Sequence, residues 1–202
     1  MKEVRFHSKK GQGALEAGRL LAGAFRLSGR DASWHTPLGW ECAVNFEAAV
    51  SISEEEHEPS FCALVVFYPP LLEIPDIWIG IEQPDIVLVN TKCKLEAISI
   101  PDNIGFAIVD ATGIAKSIGV YYGLPCLAAP MLGALSAISG VVLGSTLMHA
   151  MKEASQVFGL DENDLAKAMK ALEKGYDTAE IIRGRKALHV DDPELERLLW
   201  AS

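Results

Sequence analysis

The sequence predicts an α/β fold: a three-layer sandwich built on a mostly parallel, mixed sheet. Two wholly apolar runs carry that prediction, CALVVFY at 62–68 and IVLVN at 86–90. Both are short, continuous and rich in β-branched residues, as expected of strands covered on both faces. Segments with helical spacing alternate with such runs, the pattern of parallel strands joined by helical crossovers. A third stretch, AVNFEAAVSIS at 43–53, alternates polar and apolar residues and adds an antiparallel arm or edge, which makes the sheet mixed.

The elements follow in chain order. Residues 3–7 alternate as a short strand, and a glycine-bearing loop, SKKGQG, occupies 8–13. Residues 14–28 form a helix whose broad apolar face holds Leu15, Leu20, Leu21, Ala24, Phe25 and Leu27, with Gly29 at the position of a C-terminal cap. A second short strand spans 32–36. Thr36, Pro37 and Gly39 turn the chain, and the acidic run 54–59 is a solvated turn. Pro69 and Pro70 end the 62–68 strand. Residues 95–100 are a weaker strand or a short helix, and 106–109 form a further strand running into Asp110, Ala111 and Thr112. Helices follow over about 113–122, over 136–147 with Gly140 and Gly144 permitting close approach, and over 160–175 between Asp161 as N-cap and Gly175 as terminus. The predicted domain covers 1–175, and 176–202 is a charged, helical C-terminal arm.

Composition narrows the function. Half of the 202 residues are hydrophobic and the mean hydropathy is +0.19, an apolar surplus that suits a subunit interface. The net charge of −9 argues against nucleic acid and against an anionic membrane surface. The four cysteines, Cys42, Cys62, Cys93 and Cys126, form no C-x-x-C, so neither an iron–sulfur ligand run nor a zinc ribbon is present. Free thiols and the absence of a signal sequence point to the cytoplasm. The five histidines are scattered, and no metal site is expected.

Three places could carry chemistry. The loop Gly11-Gln12-Gly13 follows a strand and precedes a helix, where backbone N–H groups can hold an anion, with Lys9 and Lys10 beside it. The same loop reads equally as a tight turn without ligand, since neither the dinucleotide fingerprint nor the P-loop is matched. The loop from Trp34 to Phe46, with Trp40, Glu41 and Cys42, lines an interface or a pocket. Asp110-Ala111-Thr112 reads first as a helix cap, and Ala129 to Ala134 as a packed turn into a helix whose Met131 fills core.

In combination these pieces resemble the γ subunit of 2-oxoacid:ferredoxin oxidoreductases. Val4-Arg5-Phe6-His7 with Gly11-Gln12-Gly13-Ala14 is similar to the family's R-[IF]-x-G-x-G-G-Q-G-A, Asp110-Ala111-Thr112 to its D-A-T, and Met131-Leu132-Gly133-Ala134 to its N-T-x-M-L-G-A. The order and spacing cover about residues 3–175. Ser8 and Lys10 replace the first loop glycines, and Ala128-Ala129-Pro130 replaces the residues before M-L-G-A. Gly39 and Glu41 match the family's Y-G-x-E-x-R-G-G, whose arginine and paired glycines are absent. Such departures fit a divergent branch, for example one acting on an aryl-substituted 2-oxoacid, with Trp34 and Trp40 as the hint.

The resemblance implies a subunit of a thiamine-diphosphate-dependent enzyme that oxidatively decarboxylates a 2-oxoacid to an acyl-CoA. It implies a structural and active-site-closing role. Thiamine diphosphate, Mg²⁺ and [4Fe–4S] clusters are expected in partner subunits, ferredoxin is an indirect partner, and this chain alone binds no cofactor and has no catalytic residue. Gly11, Gln12 and Gly13 would donate to a coenzyme A phosphate or to the partner, and Thr36 and Glu41 would be loop contacts at the active-site mouth. The alternatives are a stand-alone coenzyme- or nucleotide-binding protein and a non-catalytic oligomeric scaffold.

Overall fold

The computed structural model describes residues 2–36, 41–46, 62–79, 84–93, 104–119 and 127–183, with backbone alone at 41–46. Seven strands form one sheet: β1 (Lys2–His7), β2 (Ala32–His35), β3 (Glu41–Phe46), β4 (Cys62–Val66), β5 (Ile86–Asn90), β6 (Gly105–Val109) and β7 (Glu180–Arg183). Their spatial order is β2-β3-β1-β4-β5-β6-β7. The pairings β1–β4, β4–β5 and β5–β6 are parallel, while β1–β3, β2–β3 and β6–β7 are antiparallel. Because β2 is antiparallel to an antiparallel neighbour of β1, five strands share one direction and only β3 and β7 oppose it. The sheet is therefore the mostly parallel, mixed one expected.

Alternate side chains of the central strands enter two different cores, which is why 62–68 and 86–90 are apolar throughout. Phe6, Ala63, Val65, Ile86, Leu88 and Ala107 face the helices α1 (Ala14–Leu27), α2 (Ala111–Ile118), α3 (Ala128–Ser139), α4 (Gly144–Ala154) and α5 (Glu162–Thr178). Leu64, Val66, Val87, Val89, Phe106 and Ile108 face the other side, where two short 3₁₀ helices, Pro69–Glu73 and Pro75–Trp78, add Leu72 and Ile77. The prolines of 69–70 thus end the strand and start the covering layer at once.

Helix α3 is apolar nearly all round because it is enclosed nearly all round: only Ala137 of its twelve residues is not fully buried. No helix among the described residues is long and apolar enough to cross a membrane.

Several expected boundaries are corrected. Residues 129–134 are not a turn but helix, because Pro130 stands in the first turn of α3, where no intrahelical N–H bond is required. The helix expected over 136–147 is two helices, broken where Gly140 adopts φ +62° and restarted at Gly144. α2 starts at Ala111 and stops at Gly119 (φ +77°), earlier than 122. Gly175 lies inside α5 rather than at its end, and Trp34 lies on β2 rather than in a loop. The arm expected to be helical from 176 begins as the last residues of α5 and then β7, which extends the sheet through its antiparallel pairing with β6. Residues 184–202, 94–103 and most of the expected 43–53 strand lie outside the described residues.

Candidate functional site

The five like-directed strands put their carboxyl ends on one side of the sheet. From β1 the chain leaves in both directions, first toward β2 and β3 and then, through β4, toward β5 and β6. Ligand crevices in open α/β sheets form outside the carboxyl ends of strands at such a reversal. By that rule a ligand would be expected between the loop after β1 and the segment after β4.

The loop after β1 is the predicted glycine loop. Gly11 (φ +81°) and Gly13 (φ +103°) take left-handed conformations that disfavour any residue with a Cβ. Gln12 closes the loop on itself: its N–H donates to the Lys9 carbonyl (3.1 Å), and its Oε1 accepts from the Lys9 N–H (2.8 Å). The Gln12 N–H is therefore engaged inside the loop, which corrects its expected role as a backbone donor. Gly11, Gly13 and the first turn of α1 are the donors that remain as candidates.

Gly13 is the N-cap of α1 and provides no side-chain cap, and Leu127 provides none to α3. The two helix starts meet: a Cβ on Gly13 would lie 3.3 Å from the Ala128 nitrogen and 3.4 Å from the Ala128 Cβ. Among the described residues, two helix starts without a side-chain cap thus converge beside the glycine loop, a setting that favours an anion. Lys9 reaches from the loop to the segment after β4, its Nζ 3.7 Å from the centre of the Tyr68 ring.

The other predicted residues come to the same end of the sheet. Glu41 opens β3 directly opposite His7, the last residue of β1; the Glu41 side chain is outside the described residues. Thr36 follows the end of β2 and is exposed. Its strand lies two places from β1, roughly 10 Å away at ordinary strand spacing. Trp34 packs under Arg19 of α1, whose guanidinium carbon is 4.8 Å from the ring centre, so it braces a helix rather than opening into a pocket.

The Asp110-Ala111-Thr112 segment is a structural joint. Asp110 Oδ1 accepts from the Gly113 N–H at 2.8 Å, capping α2. Thr112 is held by Asn90, whose Oδ1 accepts from the Thr112 N–H (3.1 Å) and whose Nδ2 donates to Thr112 Oγ1 (3.0 Å) and to the Phe67 carbonyl (3.0 Å). Asn90 was not singled out from the sequence. Its signal is one amide ending an apolar strand, at a place where three neighbouring strand ends need a donor and an acceptor together.

Two titratable groups are strongly perturbed. His7 is buried, and burial first and Arg5 second push its pKa down from 6.5 to about 4, so the imidazole is neutral at pH 7. Burial first, then Glu3 and Asp85, pushes the Cys62 thiol up to about 12 against the opposing pull of Arg5. Cys62 is accordingly a poor nucleophile, whereas Cys93 is exposed. Brief iodoacetamide treatment of the native protein at pH 7.5, followed by peptide mapping, is expected to label Cys93 and spare Cys62; equal labelling would contradict the burial of β4. Among the described residues no three His, Cys, Asp or Glu side chains converge on one point.

Known proteins resemble this chain in sequence and in fold. The profile of the family described as "Pyruvate ferredoxin/flavodoxin oxidoreductase" matches residues 3–178. The pyruvate/ketoisovalerate oxidoreductases common subunit gamma of Thermococcus kodakarensis is 33% identical over 164 residues, 76% of this chain and 86% of that protein. The NADH-dependent phenylglyoxylate dehydrogenase subunit gamma of Aromatoleum evansii is 29% identical over 188 residues, 87% of this chain and 93% of that protein. The crystal structure of pyruvate oxidoreductase subunit PORC from Thermotoga maritima superposes with a TM-score of 0.67 at 27% identity, covering 90% of this chain and 98% of that one.

Proposed function

The chain belongs to the pyruvate ferredoxin/flavodoxin oxidoreductase family, and from that membership we propose how its crevice serves a multisubunit enzyme. It is a γ-type subunit of a 2-oxoacid:ferredoxin oxidoreductase, an enzyme that works as an assembly. In our reading thiamine diphosphate, Mg²⁺ and [4Fe–4S] clusters are held by partner subunits in the cytoplasm, with ferredoxin as the indirect partner. This chain closes the active site and presents the glycine loop to coenzyme A.

The supporting observation is the meeting of two uncapped helix N-termini at Gly13. Coenzyme A takes up the acyl group as a thioester; this chain's part is to bind and orient its phosphates. The N–H groups of Gly11, Gly13 and the first turn of α1 serve as donors, Lys9 and Lys10 add charge, and Thr36 and Glu41 border the mouth.

The test uses the enzyme assembled with its partner subunits. Gly13→Val places a side chain against Ala128, and K9Q/K10Q removes two exposed charges without backbone strain. Each is expected to raise KM for coenzyme A by about tenfold while KM for the 2-oxoacid stays put. Unchanged coenzyme kinetics in K9Q/K10Q and in correctly assembled Gly13→Val would refute the reading. Micromolar binding of coenzyme A or NAD by the chain alone would favour the stand-alone binding protein instead.

A further inference from the structure

Helices α2 and α5, which carry none of the glycine loop, bring a group of cations together. The chain holds 27 acidic residues against 18 lysines and arginines, yet among the described residues one pocket of about 280 Å³ between α2 and α5 is lined by no carboxylate. Its polar lining is Ser117, Asn163, Lys167, Lys170 and Lys174, with Ile118 and Ala166 as the apolar lining.

The lysines occupy positions i, i+3 and i+7, so one helix face carries all three ammonium groups. Among the described residues Lys170 and Lys174 form no ion pair, and Lys167 pairs only with Asp164 at 3.6 Å. Lys174 Nζ donates to Ser117 Oγ at 3.3 Å, and Ser117 Oγ donates to the Ile114 carbonyl at 2.8 Å. Lys174 thus lies at the carbonyl end of α2. Lys170 and Lys174 stand four residues apart with like charge, an arrangement that weakens an isolated helix.

We propose that the Ser117–Asn163–Lys167–Lys170–Lys174 pocket binds a small polyanion bearing two or three phosphate groups. Every charged side chain in the lining is a cation, and the seven-residue span from Lys167 to Lys174 is roughly 10 Å along the helix, too long for one phosphate. An oligophosphate bridges that span, accepts from several ammonium groups at once and relieves their repulsion.

The test is calorimetric titration of the full chain, within its assembly, with inorganic tripolyphosphate at about 0.15 M ionic strength, where unspecific attraction is screened beyond a Debye length. Saturable binding of one ion per chain is expected. The double variant K170Q/K174Q should weaken it about tenfold or more. K152Q, an exposed lysine on α4, should leave it unchanged, and so should Gly13→Val, which separates this site from the coenzyme crevice. Matching circular dichroism spectra establish that the variants are folded. The proposal is overturned if titration does not saturate, if K170Q/K174Q binds like the parent, or if K152Q or Gly13→Val loses as much. It is also overturned if polyglutamate binds in a Lys170-dependent way while tripolyphosphate does not, which would make the pocket a seat for an acidic polypeptide.

Discussion

Gly133→Ala is expected to destabilise the protein by about 3 kcal/mol and to lower its melting temperature by roughly 5–10 °C, although alanine is the better helix former. The reason is the contact between α3 and α5. A Cβ on Gly133 would overlap the Leu172 carbonyl oxygen and stand 2.9 Å from both the Leu172 carbonyl carbon and the Tyr176 nitrogen. From the other side, a Cβ on Gly175 would overlap the Pro130 oxygen and stand 2.6 Å from the Pro130 Cα. These obstacles are backbone, which no rotamer change clears, so the helices must move apart and open the core around Met131, Leu132 and Leu172. Gly175→Ala should behave alike. Gly23→Ala is the control: it lies within α1 and its added methyl would meet only the Ala150 Cβ at 3.8 Å, so a gain of up to about 1 kcal/mol from helix propensity is expected. Thermal denaturation of the three variants decides the matter. If Gly133→Ala melts with the parent, α3 and α5 are not packed in this way. The same contact changes what the Met131-Leu132-Gly133-Ala134 motif means, since its glycine is there to let two helices touch.

Stability is also expected to fall as pH drops from about 6.5 to about 4, with His7 as a main contributor. His7 keeps its neutral form in the folded protein down to about 4, because burial and the neighbouring Arg5 oppose a charge there. In the unfolded chain the same imidazole takes up a proton near 6.5. Between those values the unfolded state binds more protons, so acidification favours unfolding, and the stabilisation from a neutral His7 is complete only above about 6.5. The gap corresponds to about 3 kcal/mol. Carboxylates titrate in the lower part of this window, so the informative quantity is the difference between parent and His7→Gln. Urea midpoints measured at pH 7.0 and pH 5.0 should diverge less for the variant. Equal pH dependence in the two proteins would remove His7 from the account.

What could be read from the sequence is local. The apolar runs 62–68 and 86–90 announced buried strands, and Asp110 and Asp161 announced helix starts that the structure confirms with side-chain hydrogen bonds of 2.8 and 2.7 Å. The glycine loop was visible because Gly11 and Gly13 occupy positions where neighbouring residues alone determine the backbone need. Its internal closure by Gln12 is not legible in the sequence, because a loop side chain can turn outward or inward without changing the pattern of letters.

Nearest neighbours along the chain also produced the boundary errors. Gly175 reads as a helix end because glycine usually is one, and only the passage of Pro130 across α5 shows why a glycine is needed mid-helix. Asn90 became meaningful only when β5 and β6 lay side by side and brought Thr112 to it.

By itself, the sequence of this protein determined strand and helix character, the caps and the glycine turn, since each depends on residues a few places apart. Tertiary structure alone decided that β3 inserts between β1 and β2, that Gly11, Gly13, Thr36 and Glu41 share one end of the sheet, that two helix starts meet at Ala128, and that three lysines of α5 face Ser117. Those outcomes depend on which distant segments exclude water together, and burial is a property of the assembled surfaces rather than of any stretch of chain.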